Sequence, residues 1–201
     1  MSIRPRVGLY GGAFDPPHLD HRALVDAAIQ QLGLDRLHVV PTGQAWHKTR
    51  VLTAAGHRLA MARLAFGEAA RAVVDDREIR RQGPSYTVDT LRELQHETPG
   101  AELFLVIGQD QADALTGWRE WQTLPSLATI SIAARADLAR AGGQNRPETW
   151  PWGQARWLQL PNMPVSATDI RQRLQTGQRV DHLVGAPVAR YIDTHSLYLT
   201  A

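Results

Sequence analysis

The chain has 201 residues, of which 43% are hydrophobic and 21% charged, and its formal net charge is +2 at pH 7. Cores of about 100 to 200 residues fold as one unit, so one globular domain is expected, and this composition argues against a disordered chain. The sequence has no cysteine, which excludes disulfides, thiolate zinc sites and cysteine nucleophiles and makes the cytoplasm the expected compartment. The small positive charge is only weak support for nucleic-acid binding.

The N-terminal segment carries a short apolar run, Val7 to Tyr10, that stops at Gly11 and Gly12. The run is too short for a signal peptide or a membrane span, and it predicts a strand that ends in a glycine loop. From Leu19 to Leu32 apolar residues recur at helical spacing, which predicts a helix directly after the loop.

The rest of the chain continues this alternation of strands and helices. Further strands are predicted at 37–40, 72–74, 103–107, 129–133 and 157–160, and helices at 53–66, 111–124, 166–175, 187–194 and from the caps Ser85 and Thr87 to about His96. Such alternation indicates right-handed βαβ units. The predicted fold class is therefore α/β, a Rossmann-like, doubly wound parallel sheet with a small helical C-terminal subdomain, within one domain spanning 1–201.

Strand ends show where a ligand is expected. In an open parallel sheet, ligands bind at the carboxyl ends of the strands, which here correspond to Gly11, Pro41, Gly108 and Pro161. Gly11 and Gly12 allow backbone N–H groups and a helix N-terminus to approach a phosphate, although tight turns also use glycine for steric reasons alone. The loop contains neither GxGxxG nor GxxxxGK[ST], so the dinucleotide and P-loop motifs gain no support.

Two histidines follow the glycine loop. His18 and His21 are three residues apart and therefore share one helix face, where their imidazoles can donate hydrogen bonds to a phosphate that gains charge in a transition state. Two alternatives stay open: a helix-capping or core-edge histidine, and a zinc site, which would need further ligands.

A second group of polar residues opens the helix at 166–175. Ser166 followed by Asp169 is a capping-box pattern. Ser166, Thr168 and Arg171 would cluster in its first turn and can hold a polyphosphate. The alternative is a simple cap beside a solvated basic face formed by Arg171 and Arg173.

The motifs together carry a family resemblance. GGAFDPPHLDH resembles the GG(T/S)FDPxHxGH signature of the HxGH nucleotidyltransferases. Four further segments resemble the bacterial nicotinate-mononucleotide adenylyltransferases, in the same order along the chain: WHK at 46–48 with HRLAM at 57–61, PSYTVDTL at 84–91, IGQD at 107–110 with Trp118 after it, and VSATDIR at 165–171.

The resemblance implies roles on the ATP side of a site. The loop residues Gly11, Gly12, Ala13 and Phe14, with Gly108, Asp110, Ser166 and Thr168, would bind ATP, Asp110 through the ribose hydroxyls. His18 and His21 would act at the α-phosphate. Lys48 and Arg171 would hold the departing pyrophosphate. Without the family, Lys48 and Asp110 would be interpreted as ordinary exposed residues of loops.

On the acceptor side, the resemblance implies that Trp118 stacks on the pyridine ring. Thr87 and Arg119 would offer backbone N–H groups to the nicotinate carboxylate, since an acid needs donors where an amide tolerates a mixture. Core packing is the alternative role for Trp118.

The implied reaction is ATP plus nicotinate mononucleotide giving nicotinate adenine dinucleotide and pyrophosphate, in NAD biosynthesis, by in-line attack without a covalent intermediate. Mg²⁺ would enter with ATP, and no metal ligand is assigned to the chain. The alternatives are nicotinamide mononucleotide or phosphopantetheine as acceptor, or a non-catalytic nucleotide-binding module. No nucleic-acid or membrane partner is expected, and a homo-oligomer stays open.

Two positions depart from the family pattern. Ala13 replaces a Thr or Ser, which removes a hydroxyl but keeps the backbone N–H. Asp20 replaces the glycine of HxGH, and a carboxylate there should repel triphosphate, so Asp20 is expected to point outward or to lie beside magnesium. The loop from Trp46 to Leu52 has a length and place that suit closure over ATP.

Overall fold

The computed structural model describes residues 4–44, 51–134, 150–161 and 165–199. Its centre is a six-stranded sheet in the order β3-β2-β1-β4-β5-β6, with every neighbouring pair parallel. The strands are β1 (Arg6–Gly12), β2 (Arg36–Pro41), β3 (Ala72–Val74), β4 (Glu102–Gly108), β5 (Thr129–Ala134) and β6 (Arg156–Gln159). The predicted strands and the doubly wound α/β fold are confirmed, and the winding direction reverses between β1 and β4.

Helices connect these strands and follow the last one. They are α1 (Leu19–Leu32), α2 (Ala55–Phe66), α3 (Arg77–Arg80), α4 (Thr87–Glu97), α5 (Gln109–Asp113), α6 (Leu124–Leu127), α7 (Ala167–Gln175), α8 (Asp181–Val184) and α9 (Ala186–Thr194). The sequence did not predict α3 and α8, because four residues are too few to show a helical period. Tyr86 is the N-cap residue of α4, so the capping role expected of Ser85 and Thr87 was wrong.

The prediction of one helix at 111–124 was also wrong, because the chain there forms several short turns. It passes through α5, two 3₁₀ turns at Leu115–Gly117 and Trp121–Thr123, and then α6. Glu120 between the two turns has a left-handed φ of 50°, which no continuous helix accommodates. The interruption takes Trp118 and Arg119 out of the helical path, and both line the cavity described below.

Both faces of the sheet are covered, which explains the unbroken apolar run of β4. Leu103, Leu105 and Ile107 pack in one buried cluster with residues of α4, whereas Phe104 and Val106 pack in another with residues of α1 and α2. Successive strand residues point to opposite faces, so a strand covered on both sides is apolar throughout.

The C-terminal helices α7, α8 and α9 form a cluster of their own against α2. Ile170, Val184 and Ile192 are buried there together with Met61 of α2, as expected for a small helical C-terminal subdomain. Among the helices in the described ranges, none has both the length and the apolar character needed to cross a membrane.

Candidate active site

A cavity of about 640 Å³ opens at the carboxyl ends of β1 and β4, where the sheet reverses its winding. It is lined by all the predicted site residues that the structure describes: Gly11, Gly12, Ala13, Phe14, His18, His21, Thr87, Gly108, Asp110, Trp118, Arg119, Ser166, Thr168 and Arg171. Lys48 lies outside the described residues, as does most of the loop expected to close over ATP. Five sequence segments therefore meet in one space.

The two glycines of the loop have different reasons to be glycine. A Cβ on Gly12 would lie 2.9 Å from the Phe14 ring, whereas a Cβ on Gly11 would meet no atom closer than 4.0 Å. Steric crowding by Phe14 thus explains why residue 12 is a glycine, whereas Gly11 leaves the floor of the cavity open to a ligand. Phe14 adopts a left-handed φ of 49° with its ring buried in the core, so only its backbone is presented to a ligand.

The paired histidines form the start of α1. His18 is the N-cap residue, and its backbone N–H donates to Nδ1 of His21 over 3.2 Å. Their rings stack with centroids 3.7 Å apart. The structure therefore realises the capping alternative, which leaves the other ring nitrogen available. Because Nδ1 accepts a hydrogen bond, the neutral His21 ring carries its proton on Nε2.

Burial keeps His21 neutral. Desolvation, followed by the nearby His18, lowers the pKa of His21 well below its usual value. The His21 ring makes a T-shaped contact with the ring of Phe14, with centroids 5.3 Å apart, which restrains the imidazole. His21 is thus a neutral hydrogen-bond donor in a fixed orientation.

Asp20 does not point outward, so that part of its predicted placement was wrong. It lines the cavity, and its Oδ2 accepts a hydrogen bond from the backbone N–H of Val165 over 3.1 Å. The side chain thus joins the first turn of α1 to the segment that leads into α7.

At the start of α7, Ser166 accepts a hydrogen bond from the backbone N–H of Asp169, which confirms the predicted cap. Arg171 donates through Nη1 to the backbone oxygen of Asp15 over 2.8 Å and through Nη2 to Oγ1 of Thr168 over 3.0 Å. Arg173, in contrast, pairs with Asp169 on the same helix. Arg171 is therefore turned toward the N-terminal motif instead of forming a common solvated face with Arg173.

Asp15 and Arg58 are structural residues of the site that sequence reasoning missed. Arg58 is 2% exposed and donates to three backbone oxygens, those of Ala13, Gly43 and Thr53. The Asp15 carboxylate accepts from the Thr53 backbone N–H and from the hydroxyl of Tyr198. No local pattern marks a helical arginine as buried; the one signal for Arg58 was its place in the family-like segment HRLAM.

The other end of the cavity is formed by the start of α4 and the turn at Trp118. The first N–H groups of a helix have no partner within it, and Thr87 is the first residue of α4. The Arg119 guanidinium lies 4.6 Å from the centre of the Tyr86 ring. Trp118 is half-buried and packs against the core of the same face, so the core-packing alternative accounts for part of this side chain.

Beneath this end lies a buried acid, Glu78 of α3. It is 6% exposed, lines the cavity and accepts a hydrogen bond from the Thr90 hydroxyl over 2.9 Å. Desolvation raises its pKa, and the hydrogen bond from Thr90 and the charge of Arg81 oppose that rise. Glu78 was not anticipated, because α3 itself was not.

Asp110 stands at the rim, exposed, in the first turn of α5 just beyond Gly108 at the end of β4. A carboxylate there is accessible to hydroxyl donors of a ligand.

In the parts of the chain that the structure describes, no three His, Asp or Glu side chains gather closely enough to hold a metal ion.

Comparison with known proteins gives the family. Residues 9–173 match the model of the cytidylyltransferase-like family. A protein of Albidiferax ferrireducens is 55% identical, with 98% of this chain and 99% of the relative covered, and one of Methylibium petroleiphilum is 44% identical, with 98% and 94% covered. Both are named "Probable nicotinate-nucleotide adenylyltransferase".

Solved structures agree on the fold. The nicotinic acid mononucleotide adenylyltransferase of Plasmodium falciparum complexed with NaAD is 18% identical, with a TM-score of 0.76 over 97% of this chain and 98% of that one. At this identity the likeness concerns the fold alone, whereas the relatives cover essentially the whole sequence. The chain therefore belongs to the cytidylyltransferase-like family and, within it, to the nicotinate-nucleotide adenylyltransferases.

Proposed function

We propose that the cavity transfers the adenylyl group of ATP to nicotinate mononucleotide, giving nicotinate adenine dinucleotide and pyrophosphate. The observation that carries this proposal is the arrangement of one cavity with two chemically different ends. Histidines, hydroxyls and Arg171 line one end, which suits a polyphosphate. An aromatic side chain, a helix start and Arg119 line the other, which suits an aromatic acid.

The reaction does not require a general base. A phosphate monoester has a second pKa near 6, so the acceptor phosphate is already an anion at pH 7. One of its oxygens forms a bond to the α-phosphorus while the bond from that phosphorus to the bridging oxygen breaks, and pyrophosphate leaves with the electron pair. Mg²⁺ would enter with ATP as part of the substrate, would be held by the phosphates of the nucleotide, and would offset the negative charge that develops on them.

The protein's part is positioning and charge stabilisation. His21, neutral and protonated at Nε2, donates to the α-phosphate oxygens as their charge grows, and His18 acts beside it. Ser166, Thr168 and Arg171, together with Lys48, hold the departing pyrophosphate. Gly108 and Asp110 receive the adenosine.

Acceptor choice would follow from charge at the other end. The N–H groups at the start of α4 and the Arg119 guanidinium favour a carboxylate, and donors of this kind gain less from a carboxamide, which carries no negative charge. Trp118 provides the stacking surface for the pyridine ring. We expect nicotinamide mononucleotide to be a poor acceptor for this reason. The cysteine-free sequence favours the cytoplasm as the place of the reaction.

The test is a panel of acceptors with ATP and Mg²⁺, followed by pyrophosphate release. We expect the highest kcat/KM with nicotinate mononucleotide. A higher value with nicotinamide mononucleotide or with phosphopantetheine would contradict the acceptor assignment. Calorimetric binding of ATP without turnover on any acceptor would support the non-catalytic alternative instead.

A further inference from the structure

The residue between the two histidines makes a contact that a glycine could not make. Asp20 lies in the first turn of α1, at the position where the HxGH pattern has glycine. Its Oδ2 accepts from the backbone N–H of Val165 over 3.1 Å, and Val165 directly precedes Ser166, the N-cap of α7. The bond thus joins residues that are 145 positions apart in sequence.

A second contact joins the same two segments at the other end of the C-terminal motif. Nη1 of Arg171 donates to the backbone oxygen of Asp15 over 2.8 Å. The motif 165–171 is therefore attached to the motif 11–21 at its first residue and at its last. These two hydrogen bonds restrain the α7 N-terminus at both ends of the motif, in addition to the packing of Ile170 in the C-terminal cluster.

We propose that Asp20 is a positioning residue that sets the α7 phosphate-binding turn against the histidine pair through the N–H of Val165. The inference rests on the proposed function, in which Ser166, Thr168 and Arg171 hold the phosphates of ATP. The hydrogen bond also gives Oδ2 a partner within the protein, at the position where the HxGH pattern has a glycine without a side chain.

The test compares Asp20→Ala with Asp20→Asn, whose amide oxygen can still accept the Val165 N–H. The matched control is Asp26→Ala on the same helix, where Asp26 pairs only at the surface with Arg22 over 3.0 Å. Because hydrogen bonds to charged groups are the stronger ones, we expect Asp20→Ala to raise the KM for ATP about tenfold. The KM for nicotinate mononucleotide should change less than about twofold, since its ring and carboxylate are expected at the other end of the cavity.

Comparison of the two KM values separates a positioning role of Asp20 from a general loss of folded protein. A loss of folded protein lowers the apparent kcat and leaves both KM values alone, and the urea midpoint of each variant reports it directly. Asp20→Asn should lie closer to the wild type than to Asp20→Ala in its KM for ATP. If the charge of Asp20 mainly repels ATP, both variants would instead lower that KM, which would overturn the proposal.

An inactive wild type would refute the proposed function without deciding the role of Asp20. Calorimetry with a non-hydrolysable ATP analogue decides it independently of turnover. A weaker affinity in Asp20→Ala, with the Asp26→Ala control unchanged, is the expected result. Equal affinities in wild type, Asp20→Ala and Asp20→Asn would overturn the inference even if the enzyme is fully active.

Discussion

The imidazole of His21 uses its two nitrogens for different purposes. Nδ1 accepts the His18 backbone N–H and thereby completes the cap of α1, which leaves the proton of the neutral ring on Nε2. Burial lowers the pKa of the ring, so the ring keeps this form at neutral pH. Its position in the first turn of a helix, in a T-shaped contact with the ring of Phe14, gives the proposed donor a fixed direction without any contribution from substrate.

Replacing His21 should therefore affect the rate more than binding. We expect His21→Ala to lower kcat about 10²- to 10³-fold, the usual effect of losing one preorganised donor to a developing charge. Steady-state kinetics with ATP and nicotinate mononucleotide measures it. The exposed His182 provides the control, because His182→Ala should leave kcat unchanged. A His21→Ala rate within threefold of wild type would remove His21 from the mechanism.

The lowered pKa of His21 has a consequence for stability. In the unfolded chain the imidazole titrates near its ordinary pKa of about 6.5, whereas in the folded protein it titrates lower. Below about pH 6.5 the unfolded state therefore binds more protons, and the free energy of unfolding falls as the pH falls, by at most about 1.4 kcal/mol per pH unit.

Urea unfolding of the wild type and of His21→Gln, between pH 7.5 and pH 5, isolates this contribution from those of other groups. The wild type should lose more stability than the variant over this range. Parallel pH profiles for the two proteins would show that His21 titrates normally in the folded state.

At the scale of elements, α3 is held in place by an ionic network that also positions Glu78 at the cavity. Arg77 pairs with Asp75 over 2.7 Å and with Glu97 of α4 over 2.9 Å, and Asp75 also contacts Nδ1 of His38 over 2.8 Å. Burial alone would raise the pKa of Asp75, but hydrogen bonds from His38 and Arg77 outweigh it and lower the pKa. A four-residue helix that is too short to be stable alone thus gains its order from charged side chains.

Removing the centre of this network should destabilise the protein. We expect Arg77→Met to lower the free energy of unfolding by about 2 to 3 kcal/mol, less than for a fully buried pair because Glu97 is partly solvated. Arg80→Met on the same helix is the control, since Arg80 is largely exposed and pairs with Asp76 at the surface. Chemical denaturation gives both values; equal effects of the two substitutions would contradict the proposed role of the network.

The elements that the sequence predicts well are those with long, regular patterns. The helix at Leu19–Leu32 was recognisable because its helical period reflects burial on one face, and the strand around 103–107 because its unbroken apolar run reflects burial on both. The helix predicted at 111–124 failed because a local left-handed residue, Glu120, outweighs helical composition. The contacts of Asp20, Arg58 and Asp15 join residues far apart in sequence, and no local pattern contains that information.

For the molecule as a whole, the site depends on both ends of the chain. Asp15 of the N-terminal motif receives the Tyr198 hydroxyl over 2.7 Å, and its backbone oxygen receives Arg171. Desolvation, and then the charge of Asp15, raises the pKa of Tyr198, so its hydroxyl remains a donor across the physiological range. The C-terminal region thus contacts the loop that follows β1, which brings the start of α7 to the same cavity as the N-terminal motif.

The proposed reaction is one direct in-line transfer at the α-phosphorus, with no base and no covalent intermediate. ATP made chiral at that phosphorus by sulfur substitution tests it most directly. One displacement inverts the configuration, so the dinucleotide formed from nicotinate mononucleotide should be inverted relative to the ATP used. Retention would require two displacements through an adenylylated residue and would contradict the account.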